Sequence, residues 1–389
     1  MIANLMDTYK RYPISFIKGE GSWLYDSDGK KYLDFAAGIA VNVLGHGHPK
    51  IKKVMHEAID NVWHVSNLYQ IPEQQILAKK LCDISFADKV FFCNSGAEAV
   101  EGAIKTSRKY HFEKGDKDRT EIITFKNAFH GRTLATLAAG ANPKHTLGFG
   151  PLPLGFENIE LSEKKLEKKI SNKTAAVLIE PIQGEGGIRL TSKKDLQMIR
   201  SLTNKHGVLM ILDQVQCGIG RTGDFFSHEW AGIEPDIITL AKGLGAGFPI
   251  GAILASTDAS SGMVHGSHGS TFGGNPLACS VALKVLEIID EEKILSNVKS
   301  LSEFLLAGIN EIIGKHKNKI SSVRGRGFML GLKCEVENTF IAETALKNGL
   351  LVVPAAENIV RLLPPLTTQK EDIHEFFNLL NITLENLPR

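Results

Sequence analysis

The sequence predicts an α/β protein with two unequal domains. The larger holds a mostly parallel central sheet covered by helices, and the smaller is an α+β domain assembled from both chain ends. Two observations carry this. Between about residues 50 and 280, short apolar runs alternate with helical periodicity, the pattern of strands buried on both faces and joined by crossover helices. Outside that region the pattern changes to alternating β segments at the start and amphipathic helix at the end.

Ser22-Trp-Leu-Tyr25 and Lys31-Tyr-Leu-Asp-Phe35 flank the turn sequence Asp26-Ser-Asp-Gly-Lys30, which predicts a hairpin or small meander. Lys89–Cys93, Glu121–Phe125, Ala175–Ile179, Val208–Leu212 and Ile237–Leu240 read as buried strands, and Gly251–Ala255 is a further candidate. Asp258–Asn275, rich in Gly, Ser and His, is expected as an ordered loop of functional length. From about Ala278 one long amphipathic helix is expected, followed by mixed elements. The predicted division is 1–45 as the N-terminal part of the small domain, 46–285 as the large domain and 286–389 as the rest of the small one.

Composition narrows the function classes. A chain of 389 residues, 43% hydrophobic and 23% charged, can bury a sizeable core. A net charge of +2 offers no reason to expect nucleic acid or an anionic membrane as partner. Five cysteines, Cys82, Cys93, Cys217, Cys279 and Cys334, are scattered without a C-x-x-C pair, which argues against a disulfide framework or structural zinc and fits a reducing cytosol. The first ten residues lack the apolar core of a secretory signal, and no run approaches the roughly 18–20 apolar residues of a membrane span, so a cytoplasmic protein is expected.

Lys242 is the most informative residue. It ends the apolar run Asp236-Ile-Ile-Thr-Leu-Ala-Lys242 and precedes Gly243-Leu-Gly245-Ala-Gly247. An amine in such a loop, with its pKa lowered by its surroundings, can form a Schiff base with an aldehyde. A solvated strand-end lysine would read the same way, so the other segments decide. Asn94-Ser-Gly-Ala-Glu98 follows the strand ending at Cys93 and opens a helical run. Free N–H groups there suit an anion, and Gly96 lets a phosphate approach closely. Asn94 or Ser95 also suits an N-cap, and both readings can hold.

Asp213 stands at the carboxyl end of a predicted buried strand, where ligands bind open α/β sheets. A carboxylate there suits a protonated pyridine nitrogen; a helix cap is the alternative, although Gln214–Gly223 reads as a loop. Phe129-His-Gly-Arg-Thr133 joins an aromatic face to an arginine able to hold a carboxylate with two arms. Glu180-Pro-Ile-Gln-Gly-Glu-Gly-Gly187 places further carboxylates at a strand end. His46 and His48 lack a third ligand at any obvious spacing, so a turn is expected and no metal. Gly218–Gly223 lacks the P-loop ending and does not open a helix, which argues against a nucleotide.

Assembled in order, Asn94–Glu98, Phe129–Arg132, Glu180–Glu185, Asp213–Gln216, Gly220–Gly223, Leu240–Gly243 and Gly269–Gly274 resemble the class III (ω-amino acid) aminotransferases of pyridoxal 5'-phosphate (PLP) fold type I. The likeness runs from Gly38 to Pro365, essentially the whole chain. It implies PLP held covalently by Lys242, with Asp213 pairing the pyridine nitrogen and Lys242 and Asp213 as the catalytic residues. Gln216 would bond the ring hydroxyl, Val215 and Phe129 would flank the ring, and Ser95, Gly96 and Ala97 would hold the phosphate. Thr271 of a facing subunit would complete the phosphate site, which implies a homodimer with shared sites.

The same resemblance places Arg132 on the substrate α-carboxylate, with Ser270 nearby and Tyr9 at the substrate end. Arg361 resembles a second carboxylate receptor, masked by Glu185 when the amino donor binds and released for 2-oxoglutarate. Within the family the likeness is strongest to members that act on N2-acetyl-L-ornithine in arginine biosynthesis. Succinylornithine, N-succinyl-diaminopimelate, ornithine and 4-aminobutyrate are the alternative donors, and a non-catalytic PLP-binding protein is the alternative of another class. One departure stands out: the family usually has Asp-Glu-Val-Gln where this chain has Asp213-Gln214-Val-Gln216. It is expected to remove a charge near the cofactor and to shift pH optimum or donor preference.

Overall fold

The computed structural model describes residues 4–387. The chain begins with a meander of β1 (Phe16–Glu20), β2 (Trp23–Asp26) and β3 (Lys31–Asp34). The predicted turn between β2 and β3 is held by Asp26, whose Oδ1 accepts from the backbone N–H of Asp28 and Lys30. The Gly45–His48 segment, expected as a tight turn, is irregular: His46 forms an isolated antiparallel bridge with Gly21, Gly47 is a bend, and His46 Nε2 lies 2.7 Å from Asp34 Oδ2.

The strands of the large sheet follow: β4 (Lys89–Cys93), β5 (Glu121–Phe125), β6 (Phe156–Ile159) and β7 (Thr174–Ile179). After the two-residue pair β8 (Ile182–Gln183) and β9 (Arg189–Leu190) come β10 (Leu209–Asp213), β11 (Ile237–Leu240) and β12 (Gly251–Ala255). Their spatial order is β4-β12-β11-β10-β7-β5-β6. Only β12 runs against its neighbours, so the sheet is mostly parallel, as predicted.

β7, β10, β11 and β12 are buried at every residue, because helices cover both faces and leave no polar side to the strand. Truncating a core residue such as Ile211 or Ile238 to alanine is therefore expected to cost about 2–5 kcal/mol. β6 was not predicted. It is an edge strand with one partner and half-buried residues, so Phe-Glu-Asn-Ile carries no continuous apolar signal.

The last part of the chain contributes β13 (Ile320–Arg326), β14 (Met329–Cys334), β15 (Leu350–Leu351), β16 (Val353–Ala355) and β17 (Ile359–Leu362). β15 pairs in parallel with β3, which joins the two chain ends in one sheet. β13, β14, β17 and β16 form a separate antiparallel sheet in that order.

The long amphipathic helix expected from about Ala278 is Pro276–Glu291, and a second helix, Ile294–Lys315, follows it directly. Lys293 takes a left-handed φ of +52° between them. The first helix packs on the helices Pro49–Ile59 and Pro72–Asp83, and the second on β13. The break re-aims the chain from one layer to the other, which a continuous apolar stripe does not reveal. Among the described residues, no helix is long and apolar enough to cross a membrane.

Candidate active site

Parallel strands end on one edge of their sheet, and the loops that leave that edge converge. β4, β7, β10 and β11 thus bring Asn94, Glu180, Asp213 and Lys242 to one cavity of about 430 Å³, although 148 residues separate the first from the last. Ser95, Gly96, Ala97, Phe129, Arg132, Val215 and Gln216, all singled out in the sequence, line the same cavity.

Ser95 caps the helix Gly96–Glu113: its hydroxyl accepts from Glu98 N at 3.2 Å. The next N–H groups, of Gly96 and Ala97, have no acceptor within the helix and stand where the helix dipole is positive. Gly96 is required here for space. A Cβ at this position would lie 2.6 Å from Cγ1 of Val215, so any side chain would push Val215 out of place.

Lys242 follows β11 in a left-handed conformation, φ +44°. Burial pushes its ammonium down to about 8, the Arg361 cation pushes the same way, and the carboxylates of Glu185, Asp213 and Glu180 oppose. A larger fraction of neutral, nucleophilic amine is therefore present near neutral pH than on a solvated lysine.

Asp213, the last residue of β10, is buried and hydrogen-bonded through both oxygens. Its Oδ2 lies 2.8 Å from His130 Nδ1, and its Oδ1 accepts from Val215 N at 3.1 Å and Thr239 Oγ1 at 3.2 Å. His130 is itself buried and lines the cavity, and its Nε2 has no partner within the protein. Glu180 accepts from Phe129 N at 2.9 Å, which ties the aromatic segment to the end of β7. Burial, and then the nearby Asp213 carboxylate, push the Glu180 carboxyl well above its ordinary range.

Arg361 sits in the middle of the antiparallel sheet, on β17. Its guanidinium is buried and meets Glu185 with two arms: Nη1 to Oε1, and Nη2 to Oε2 at 3.1 Å. Nη1 also reaches Gln216 Oε1 at 3.3 Å, which connects the pair to the cavity wall. Arg132 is exposed at the mouth, its guanidinium 5.6 Å from the centre of the Phe129 ring.

Five predicted residues do not line this cavity: Glu185 and Arg361 sit behind Gln216, and Tyr9, Thr271 and Ser270 lie further out. Tyr9 is 70% exposed in the irregular N-terminal segment, with Arg11 over its ring. Thr271 is exposed and does not line the cavity. Ser270 touches its edge only through Asn94, whose Nδ2 donates to Ser270 Oγ at 3.2 Å.

The expectation for Gln214 is corrected. Successive residues leave an extended strand on opposite faces, so Gln214 points away from the cavity that Asp213 faces. It is fully buried, accepts from Ser227 N (2.7 Å) and Ser227 Oγ (3.0 Å), and places its Nε2 at 2.9 Å from His228 Nδ1. Neither Gln214 nor these partners line the cavity. Sequence reasoning also overlooked His130, although it lies inside the motif read for Phe129 and Arg132. Its partner Asp213 is 83 positions away, and nothing local signals the pairing.

The aminotransferase class-III family model matches residues 6–384. The chain is 50% identical over 384 residues to the acetylornithine aminotransferase of Mesorhizobium japonicum, covering 98% of this chain and 96% of that one. Among solved structures, it is similar to N-acetylornithine aminotransferase from Stenotrophomonas maltophilia K279a, with a TM-score of 0.85, 35% identity and 97% of each chain covered. Ornithine aminotransferase from Toxoplasma gondii ME49 superposes with a TM-score of 0.95 at 28% identity, covering 98% of this chain and 93% of that one. With its α/β fold, its converging lysine, aspartate and helix N-terminus, and a family match over nearly its full length, the chain belongs to the class III aminotransferases.

Proposed function

We propose that this aminotransferase moves the δ-amino group of N2-acetyl-L-ornithine to 2-oxoglutarate, giving N-acetyl-L-glutamate 5-semialdehyde and L-glutamate for arginine biosynthesis. The observation that carries the two-substrate reading is the Glu185–Arg361 pair beside the cavity. The amino donor has one carboxylate and the acceptor has two. A receptor for both needs a cation that can be masked for one and exposed for the other. Relatives named acetylornithine aminotransferase, at up to 50% identity, support the acetylated donor.

PLP fits the residues present. Lys242 supplies an amine for its aldehyde, Asp213 a carboxylate for its pyridine nitrogen, and the helix start at Gly96 free backbone N–H groups for its phosphate. In this reading Ser95, Gly96 and Ala97 hold the phosphate, Val215 and Phe129 flank the ring, and Gln216 bonds the ring hydroxyl. When bound, PLP supplies an electron sink for the bond broken at the carbon that bears the amino group.

The chain's own residues then have separate tasks. Asp213, held by His130, keeps the ring nitrogen protonated. The Lys242 amine takes the proton from the donor's δ-carbon and returns protons during transfer. Arg132 binds the carboxylate that donor and acceptor share. Glu185 covers Arg361 when the donor binds and turns away for the second carboxylate of 2-oxoglutarate. Tyr9 and Ser270 belong to the substrate end.

The same reading makes the protein a cytoplasmic homodimer with shared sites. Trp63, Leu68, Tyr69 and Phe272 are each exposed, and Asn67, next to Leu68, holds the Ser270–Gly273 loop through Ser270 O and Gly273 O. Thr271, exposed and outside the cavity lining of its own chain, would serve the facing one.

A half-reaction tests this. The PLP-loaded protein is mixed with one amino donor at a time, without acceptor, and the loss of PLP absorbance is followed. The fastest loss with N-acetylornithine, and a slow one with ornithine and 4-aminobutyrate, is expected. The fastest loss with a succinylated donor would move the substrate to that branch. A protein that takes up no PLP would overturn the reading.

A further inference from the structure

Glu185 lies on the short loop between β8 and β9, and the backbone of that loop is tied on both sides of the residue. Ala356 N, just after β16, donates to Glu185 O at 3.1 Å. Arg324, from β13, donates through Nε to Gly187 O at 2.7 Å. Between these points Gly186 packs its backbone against Asn127, where a Cβ would lie 2.4 Å from the Asn127 carbonyl oxygen. The Glu185 side chain is 32% exposed all the same, while that of its partner Arg361 is 2% exposed.

Arg324 is held in turn. Its Nη2 donates to Glu357 Oε2 at 2.6 Å, and the other oxygen of Glu357 pairs with Arg189 of β9. Glu357 and Asn358 both take left-handed φ values, +59° and +56°, which cost energy for residues other than glycine. Their turn is kept by the Asn358 side chain, whose Nδ2 donates to Cys334 O and Val336 O at 2.8 Å each. Lys333 Nζ also donates to Glu357 O at 2.7 Å. A guanidinium can serve a carbonyl and a carboxylate in different directions at once, which the single ammonium of lysine cannot do with fixed geometry.

We infer that Arg324, braced by Glu357, is a positioning residue for Glu185. It fixes the loop backbone so that the gate over Arg361 opens by rotation of the Glu185 side chain, and it thereby sets the discrimination between one-carboxylate and two-carboxylate substrates. This rests on the Glu185–Arg361 reading proposed above. Arg324 touches neither Arg361 nor the cavity lining, so its effect has to pass through the loop.

The test is a double-mutant cycle on Arg324→Met and Glu185→Ala in the PLP-loaded enzyme. The readout is the ratio of half-reaction kcat/KM for N-acetylornithine to that for L-glutamate, which does not depend on the fraction of active protein. Arg324→Met is expected to lower this ratio by about tenfold, because Glu185 is no longer held over Arg361. Added to Glu185→Ala, the same substitution should change the ratio by less than about twofold.

A ratio shifted by Glu185→Ala but untouched by Arg324→Met overturns the brace and leaves the gate standing. A ratio untouched by Glu185→Ala overturns the gate and the brace with it. An Arg324→Met effect that persists in full without Glu185 also overturns the brace. If Arg324→Met does not fold, Glu357→Gln takes its place. It keeps the bond to Gly187 and removes the charge partner, so a shift of about threefold in the same direction is expected, and no shift counts against the brace.

Discussion

Arg361 and Glu185 form a two-armed ion pair in which only the carboxylate is open to solvent, with side-chain exposures of 2% and 32%. The cation cannot leave the sheet, but the anion can turn out of the way. Removing Glu185 strands a buried guanidinium, which costs about 2 kcal/mol once the partial exposure of the pair is allowed for. Glu185→Ala should therefore melt several degrees lower than the parent. 2-Oxoglutarate should raise its melting temperature more than it raises the parent's, because the ligand's carboxylate replaces the missing one. Equal shifts in both proteins would count against Arg361 as the second carboxylate receptor.

His130 and Asp213 form a second buried pair, at 2.8 Å. Asp213→Asn retains shape but not charge, and it should lower kcat on the order of 10³-fold. His130→Ala leaves the carboxylate with its bonds from Val215 N and Thr239 Oγ1. The loss of one hydrogen bond to a charged group corresponds to about a tenfold drop in kcat with little change in KM. A His130→Ala enzyme with full kcat would remove His130 from the site.

The lowered ammonium of Lys242 predicts how protein stripped of cofactor takes up PLP. Neutral amine forms as pH rises through about 8, so the rate of capture should climb with a midpoint there. A midpoint near the ordinary 10.5 would show that burial does not act on this amine. The sign for stability follows from the same shift. Between about 8 and 10.5 the unfolded chain still binds a proton at Lys242 that the folded chain has lost, so this group makes the cofactor-free protein more stable as pH rises across that window.

Gln214 should have little to do with the reaction. Gln214→Glu would place a carboxylate against His228, whose imidazolium burial now pushes down to about 4. The His228 titration, followed by NMR, should move upward. The pH profile of kcat/KM should stay where it is, because the side chain faces away from the cavity. A displaced profile would show that the charge reaches the cofactor after all.

Much of this protein was legible without coordinates, for a physical reason. Strands buried on both faces must be apolar throughout, so β7, β10, β11 and β12 announce themselves as short hydrophobic runs, and β4 and β5 show the same run over most of their length. The residues at their ends, Asn94, Asp213 and Lys242, stand out because polar groups directly after such runs are where a parallel sheet presents its chemistry. β6 and the break at Lys293 were not legible, since a half-buried Phe-Glu-Asn-Ile segment and a change of layer leave no continuous apolar run or periodic mark.

What lay beyond the sequence were relationships between residues distant along the chain. The His130–Asp213 pair, the outward face of Gln214 and the hold of Arg324 on the Glu185 loop depend on which strands become neighbours and which way each side chain leaves them. Local sequence determined which groups could react. Only the tertiary packing decided which of them meet, because hydrogen bonds and charges act over a few ångströms, and the chain closes those distances only by folding.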